Sequence, residues 1–394
     1  MRSIPWHRLI APRVADGGVE SGCVIKLWFN RVLLGFVVAL RGVAAGAEPV
    51  RVVAATPDVV FNRLFERTNG WVGADAIYSI VVGPERTLWF FGDTFVGRVA
   101  GGHRTNVTMI NNSVGVQTGH GDAAGVEFFH QRRADGKPAS WLEPVDGRGW
   151  LWPFGGVLDG GAAWIFLWQM EKTGAGGAFG FRNVAVWLAR IENPADAPGL
   201  WRVSQRKVPF TELAGATRRL FGPAVLRVGG WNYIYGIEEP AKNIGAARRM
   251  LVARVPVGKC DEFAAWTFWD GAEWGADFRQ ARGVVGGMGA EYTVDFVPSL
   301  KRFVAVTTEN GLSDKIVART AAEPWGPWSE ARVIYECPEG KLSPRVFCYA
   351  GQARVVPGGA GELLVSHAFN SHDFWEVVRD ARLYWPRFVR VRLE

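Results

Sequence analysis

The chain is poor in cysteine. Four occur in 394 residues, at Cys23, Cys260, Cys337 and Cys348. None stands in a CxxC pair and none has a histidine at ligand spacing, so the local pattern of a structural zinc site is missing and no metal is expected from the motif. No lipobox cysteine follows the apolar run near the N-terminus, which argues against a lipid anchor. Histidine is also scarce, with six residues. His103, His120 and His130 form no ligand set. A Ser366-His367-Asp373 triad, with His372 alongside, can be drawn on paper, but no nucleophile-elbow sequence surrounds it. Few segments carry helical periodicity. No Pro/Ser-rich linker divides the chain, so a single domain is expected over 48–394.

A strong excess of one charge is absent as well. The net charge is +7, but residues 1–47 hold six of the 45 Lys and Arg and only two of the 38 Asp and Glu. The remainder carries 39 basic against 36 acidic residues. The pairs Arg218-Arg219 and Arg248-Arg249 read as scattered, solvated surface and not as a phosphate track, so nucleic acid is not an expected partner. The apolar run Val32–Leu40 follows Lys26 and Arg31, and Ala45-Gly46-Ala47 forms a small-x-small site before Glu48. This reads as an export signal within a leader over 1–47, although Arg41 interrupts it and translation from near Val24 would make it more compact. The run is too short for a membrane span. A secreted or periplasmic protein without a stable membrane anchor, and monomeric, is the expectation. Under export, Cys337 and Cys348, which flank a loop, have the option of pairing, leaving Cys260 as a buried thiol.

Glycine and aromatic residues are plentiful. There are 49 glycines and 19 tryptophans, and 48% of the residues are hydrophobic. That is the composition of a strand-and-turn protein. A pattern of apolar and aromatic strand, turn, aromatic strand and a later strand of Val-Ala-Arg type recurs about five times. Its second unit runs from Leu151–Leu158 through Ala163–Trp168 to Val184–Arg190. Its third runs from Phe221–Leu226 through Trp231–Gly236 to Met250–Val255. The fourth is Ala290–Phe296, Arg302–Thr307 and Lys315–Thr320. The fifth is Tyr349–Val355, a turn at Gly358-Gly359, Glu362–His367 and Phe388–Leu393. Radial repetition of such units predicts an all-β, five-bladed β-propeller, with a β-sandwich as the competing architecture. Thr211–Leu220 reads as a short helix or loop between units.

The first unit holds the most informative segment. Ile77–Ile80 and Thr87–Phe91 predict a β-hairpin, with Asp75 before its first strand and Asp93 after its second. Two acids on one edge suit glycoside hydrolysis, which needs one carboxyl group as acid and one as base or nucleophile. They equally suit turn capping. In a propeller the inner strands begin around a shared axis. That places Asp75, Trp152–Gly155, Phe221–Pro223, Glu291 and Tyr349–Gln352 on a common rim.

Gly73-Ala74-Asp75, Leu88–Phe95 with its Gly-Asp-Thr-Phe turn, Asn112-Ser113, Val317–Thr320, Pro324–Ser329, Val333–Tyr335, Tyr349-Ala350-Gly351 and Gly361–His367 with Asn370-Ser371 resemble a family long known as DUF4185 and its relative DUF5005. The resemblance spans about residues 60–393. It implies a five-bladed propeller similar to furanosidases and fructosidases, some relatives being endo-acting D-arabinanases. It also implies that Asp75 and Asp93 match paired first-blade acids and that Glu291 matches an acid at the fourth-blade strand start. Gln352-Ala353 departs from the histidine-proline that many members carry, which puts the substrate in doubt.

Taken together, Asp75 is the expected base or nucleophile, Glu291 the general acid and Asp93 a neighbour that tunes or holds Asp75. Trp71 and Trp152 are candidates to stack on sugar rings. Asn112, Gln352 and Arg104 are candidates to bond sugar hydroxyls, Arg104 from a loop after Asp93. Glu238-Glu239 reads as a solvated turn. No cofactor is expected, although an axial calcium ion held by carbonyls and carboxylates is compatible with the fold class. A polysaccharide or oligosaccharide is the expected partner. A glycan-binding propeller without activity is the alternative, and a phosphorylase would need a basic cluster that the sequence does not locate.

Overall fold

A computed structural model describes residues 48–174, 180–356 and 361–394. The expected leader, with Cys23, and the turn at Gly358-Gly359 lie outside these residues. The described chain is all-β apart from short helical turns at Val59–Arg63 and Glu376–Arg379 and a few 3-10 turns. No described helix is long and apolar enough to cross a membrane.

Five antiparallel sheets of four or more strands follow one another along the described chain. The first contains Tyr78–Gly83, Arg86–Phe91, Ser113–Thr118 and Gly125–Phe129. The second contains Trp150–Asp159, Ala162–Lys172, Phe181–Ile191 and Val203–Lys207. The third is built on Thr217–Val228, Trp231–Pro240 and Arg249–Pro256, and the fourth on Tyr292–Val297, Arg302–Thr308, Lys315–Ala321 and Arg332–Glu336. The fifth joins Val346–Val355, Glu362–Ser371 and Arg387–Leu393 to Val52–Pro57 from the other end of the domain. A smaller sheet of Asn69–Ala74, Thr94–Ala100 and His103–Ile110 flanks the first. The segment read as a helix or loop at Thr211–Leu220 is instead a turn closed by a Glu212–Arg219 bridge, and its strand begins at Thr217.

The Val-Ala-Arg segments are the third strands of sheets two, three and four. Their alanines are buried. Their arginines cover aromatic faces or backbone carbonyls: Arg254 sits 4.2 Å above Trp231 and 4.1 Å above Trp274, and Arg319 donates to the Ser329 and Gly286 carbonyls. Trp89, Trp164 and Trp187 are packing residues, each nearly covered.

The first strand of a sheet approaches the neighbouring sheet so closely that a side chain must be absent at the contact. A Cβ on Gly155 would lie 2.7 Å from the Ala224 Cα, and one on Gly351 would lie 2.7 Å from the Thr308 nitrogen. Both glycines fall where the inner strand slips register, between Pro153 and Gly156 and between Tyr349 and Gln352. Such bulges bend a strand and redirect its side chains.

Candidate active site

The hairpin at the start of the first sheet forms as expected, with Tyr78 opposite Phe90 and Val81 opposite Thr87. Its ends bring the two aspartates together. The Asp75 amide donates to the Asp93 carbonyl (3.3 Å), and the Gly92 amide donates to the Asp75 carbonyl (3.0 Å). Gly92 leaves room for this junction, since a Cβ there would stand 2.5 Å from Asp75 Oδ1.

Two tyrosines from the fifth sheet and its final loop hold Asp75. Tyr349 and Tyr384 donate their hydroxyls to Asp75 Oδ2 at 2.7 and 3.0 Å, and Tyr384 also reaches the Asp93 carbonyl at 3.1 Å. Backbone strain gathers around these atoms. Ala76 (φ 52°), Ala350 (φ 54°) and Tyr384 (φ 65°) all occupy the left-handed region. Non-glycine residues there cost on the order of 1–3 kcal/mol each and persist where the surroundings impose them, commonly at functional sites.

Asp93 is held from the other side. Its Oδ1 accepts from the Trp152 indole (2.9 Å) and from Asn111 Nδ2 (3.0 Å). Glu291 stands just before the first strand of the fourth sheet, and among the described residues none donates a hydrogen bond to its carboxylate. Asp75, Asp93 and Glu291 each keep partial solvent exposure.

The electrostatics of the three acids are unusual. Burial, then the charge of Asp93, raises Asp75 to about 7, against the lowering effect of Tyr349 and Tyr384. Burial, then the charge of Asp75, raises Glu291 to about 8, opposed by Arg248. Asp93 is also raised by burial, against the donors Asn111 and Trp152. Asp295, four residues beyond Glu291 along the chain, rises to about 6 by burial, opposed by Arg354. Carboxyl groups that ionise near neutrality are suited to exchanging protons there.

The other candidates divide. Trp152 is at the site: half-buried, bonded to Asp93 and edge-on to Phe181 at 4.8 Å. Trp71 is in the core, 3% exposed, stacked on Phe128 at 4.2 Å and donating its indole N–H to Ser113. It lies on Asn69–Ala74 of the smaller sheet, a strand buried continuously from Trp71 to Ala74. Asn112 is consumed by backbone, donating to the Leu142 and Leu151 carbonyls and accepting from the Leu142 amide. Arg104 lies on the strand His103–Ile110, not in a loop. It is 3% exposed, and its guanidinium donates to the carbonyls of Val72, Val377 and Leu383. Gln352 is fully buried; its Oε1 lies 3.5 Å from Arg354 Nη2 and its Nε2 has no partner.

Two charged segments also differ from expectation. Glu239 is not in a solvated turn: the strand runs on to Pro240, and the carboxylate is buried between Arg218 (2.6 Å) and Arg248 (2.8 Å). Those arginines are therefore not free surface charges. The drawn triad does not form. His367 faces Glu339, and Asp373 pairs with Arg379. Cys337 and Cys348 are neighbouring free thiols that share a hydrogen bond, and Cys260 is a buried free thiol.

Tyr384 and Asn111 are absent from the residues that the sequence singles out, and Tyr349, placed on the rim, is assigned no role there. Tyrosine is the rarest aromatic here, seven against 24 Phe and 19 Trp, and at Tyr349 and Tyr384 the hydroxyl makes a bond that phenylalanine would not. Because both tyrosines lower the Asp75 value, Tyr349→Phe and Tyr384→Phe are each expected to move its ionisation to higher pH. The shift is measurable by carboxyl-carbon NMR titration, and an unchanged midpoint in both variants would refute the role.

A family profile, "Domain of unknown function (DUF5005)", matches residues 58–393. The chain belongs to the DUF5005 family. No curated protein matches this DUF5005 chain. Among solved structures it is similar to a putative hydrolase from Bacteroides ovatus ATCC 8483, with 18% identity, a TM-score of 0.67, and coverage of 86% of this chain and 90% of the other. It also matches a GH43_1 enzyme from Xanthomonas citri (12% identity, TM-score 0.46, 87% and 91% coverage) and xylan beta-1,4-xylosidase from Bacillus halodurans C-125 (9%, 0.48, 86% and 54%). At these identities the likeness to the Bacteroides protein establishes a shared fold for this DUF5005 domain.

Proposed function

We propose that this DUF5005 chain is an exported, monomeric glycoside hydrolase with a five-bladed β-propeller fold. It cleaves a polysaccharide with carboxylates gathered at the propeller axis. Support for the ring comes from contacts between successive sheets. Gly155 abuts Ala224, the Tyr292 hydroxyl donates to the Gly236 carbonyl (2.7 Å), Gly351 abuts Thr308, and Tyr349 returns to Asp75. The first sheet meets the second where a Cβ on Gly156 would strike Ile80.

The observation that carries the function is the effect of the Asp75 charge on Glu291. They come from different sheets, yet the charge of one raises the other. Asp75 ionises first of the two, and two hydroxyls stabilise its charge, which suits a base or nucleophile. Glu291 accepts no hydrogen bond and holds its proton to higher pH, which suits a general acid. Asp93 positions Asp75 through the shared backbone bonds and keeps its ionisation near neutrality. Trp152 presents an aromatic face beside Asp93 for a sugar ring. A groove of about 310 Å³ is lined by Met109, Trp150 and Asn111, the last of which bonds Asp93, while the three acids lie outside its lining. Carboxylates and water suffice for the reaction, so no cofactor is called for.

The expected pH dependence of kcat/KM is a bell. Activity falls below about 7 as Asp75 gains a proton and above about 8 as Glu291 loses one. The two limbs belong to the coupled pair. The deciding experiment is product release from arabinans, arabinogalactans and other plant and bacterial polysaccharides. Reducing sugar from a furanose-containing polymer, lost in Asp75→Asn and Glu291→Gln, supports the reading. Binding without release from any polymer would replace it with a glycan-binding module.

A further inference from the structure

A second group of chemically distinctive side chains lies at the junction of the fourth and fifth sheets, and the carboxylate site makes no use of it. Cys337 follows the strand Arg332–Glu336 and is buried, its amide fixed by the Asp314 carbonyl at 2.7 Å. Glu339 is on the short turn that comes next, Pro338–Lys341. His367 projects from the middle of Glu362–Ser371 and is fully buried. One ligand atom from each of the three lies within 4.8 Å of the others. The closest pair is His367 Nε2 and Glu339 Oε2, 3.2 Å apart. Two atoms each about 2.0–2.1 Å from a tetrahedral zinc ion stand roughly 3.3 Å apart, so the spacing is that of adjacent ligands.

We propose that Cys337, Glu339 and His367 form a binding site for a divalent transition metal, with zinc the best fit. Thiolate, imidazole and carboxylate together are the ligand chemistry of that ion, and one thiolate plus one carboxylate balance its two charges. The surroundings are those of a metal site. His367 meets the cluster through Nε2, while its Nδ1 is buried with no hydrogen-bond partner among the described residues and lacks the second hydrogen bond that ligating histidines commonly make. Glu339 Oε1 faces the Arg387 guanidinium at 3.8 Å, leaving Oε2 for the cluster, and Arg387 is itself neutralised by Glu66. Cys348 lies against Cys337 and can donate its S–H to a thiolate there. A groove of about 420 Å³, lined by Tyr335, Glu339, His367 and Arg387, gives an ion a route from solvent.

This site escaped sequence reading because its ligands are split between a strand end, a turn and a strand of the next sheet. The full chain, purified without a metal-affinity step, is expected to carry about one zinc ion by elemental analysis. After chelation, Co²⁺ should restore an absorption band of sulfur-to-cobalt charge transfer. That band should be lost in Cys337→Ser and His367→Ala and retained in Asp75→Asn, which leaves the cluster intact. Wild-type protein that holds no zinc and develops no such band would overturn the proposal, and so would peptide mapping that finds Cys337 joined to Cys348 as a disulfide. Both readouts are made on wild type, so they stand even if a variant fails to fold.

Discussion

Asp75→Asn and Glu291→Gln are each expected to lower kcat by about 10²–10⁴-fold while making the protein more stable above pH 8. The loss follows from removing the base or the acid. The gain follows from linkage. Each acid ionises in the folded protein at a pH well above its ordinary value, about 7 for Asp75 and about 8 for Glu291. Between the ordinary carboxylate range and those values the folded state binds protons that the unfolded chain has lost, so stability falls as pH rises through that window. Above it, the full cost of holding the charges is present. An amide of the same shape never ionises and never carries that cost. Denaturant unfolding at pH 5 and pH 8.5, alongside turnover, tests both halves. Variants that lose activity and are also less stable at pH 8.5 would point to structural and not catalytic roles.

Removing the Glu239 carboxylate is expected to be the most destabilising single change, about 3–5 kcal/mol for Glu239→Ala. The side chain is 2% exposed and lies between Arg218 at 6% and Arg248 at 17%. The same carboxylate accepts the Gly245 amide at 2.9 Å, and Arg218 also donates to Asn183. Taking it away strands two cations where water reaches them poorly. The urea midpoint is the measurement. A change within about 0.5 kcal/mol, as surface substitutions give, would mean that the arginines find water instead.

Local chemistry explains what was legible in the sequence. Alternating aromatic and β-branched runs located the strands, and glycine pairs located their turns, because both rest on neighbours in the chain. The aspartates at the ends of the first hairpin were legible for the same reason. Partners drawn from distant segments were not. Trp71 looked like a rim residue until the smaller sheet buried it, and Arg104 looked exposed until the final loop supplied its carbonyls. Glu239 looked solvated because its two arginines sit 21 and nine residues away. Tyr384 gives no local sign that it reaches Asp75 across more than 300 residues.

That long reach also sets an order of events. Val52–Pro57 pairs with Arg387–Leu393, more than 300 residues later in the domain, and Tyr384 lies just before them. Asp75 is synthesised early but remains without its hydroxyl donors until the ribosome has nearly finished the domain. Such distant pairings make folding slow. The domain would therefore stay open, and chemically silent, for as long as its far end is missing.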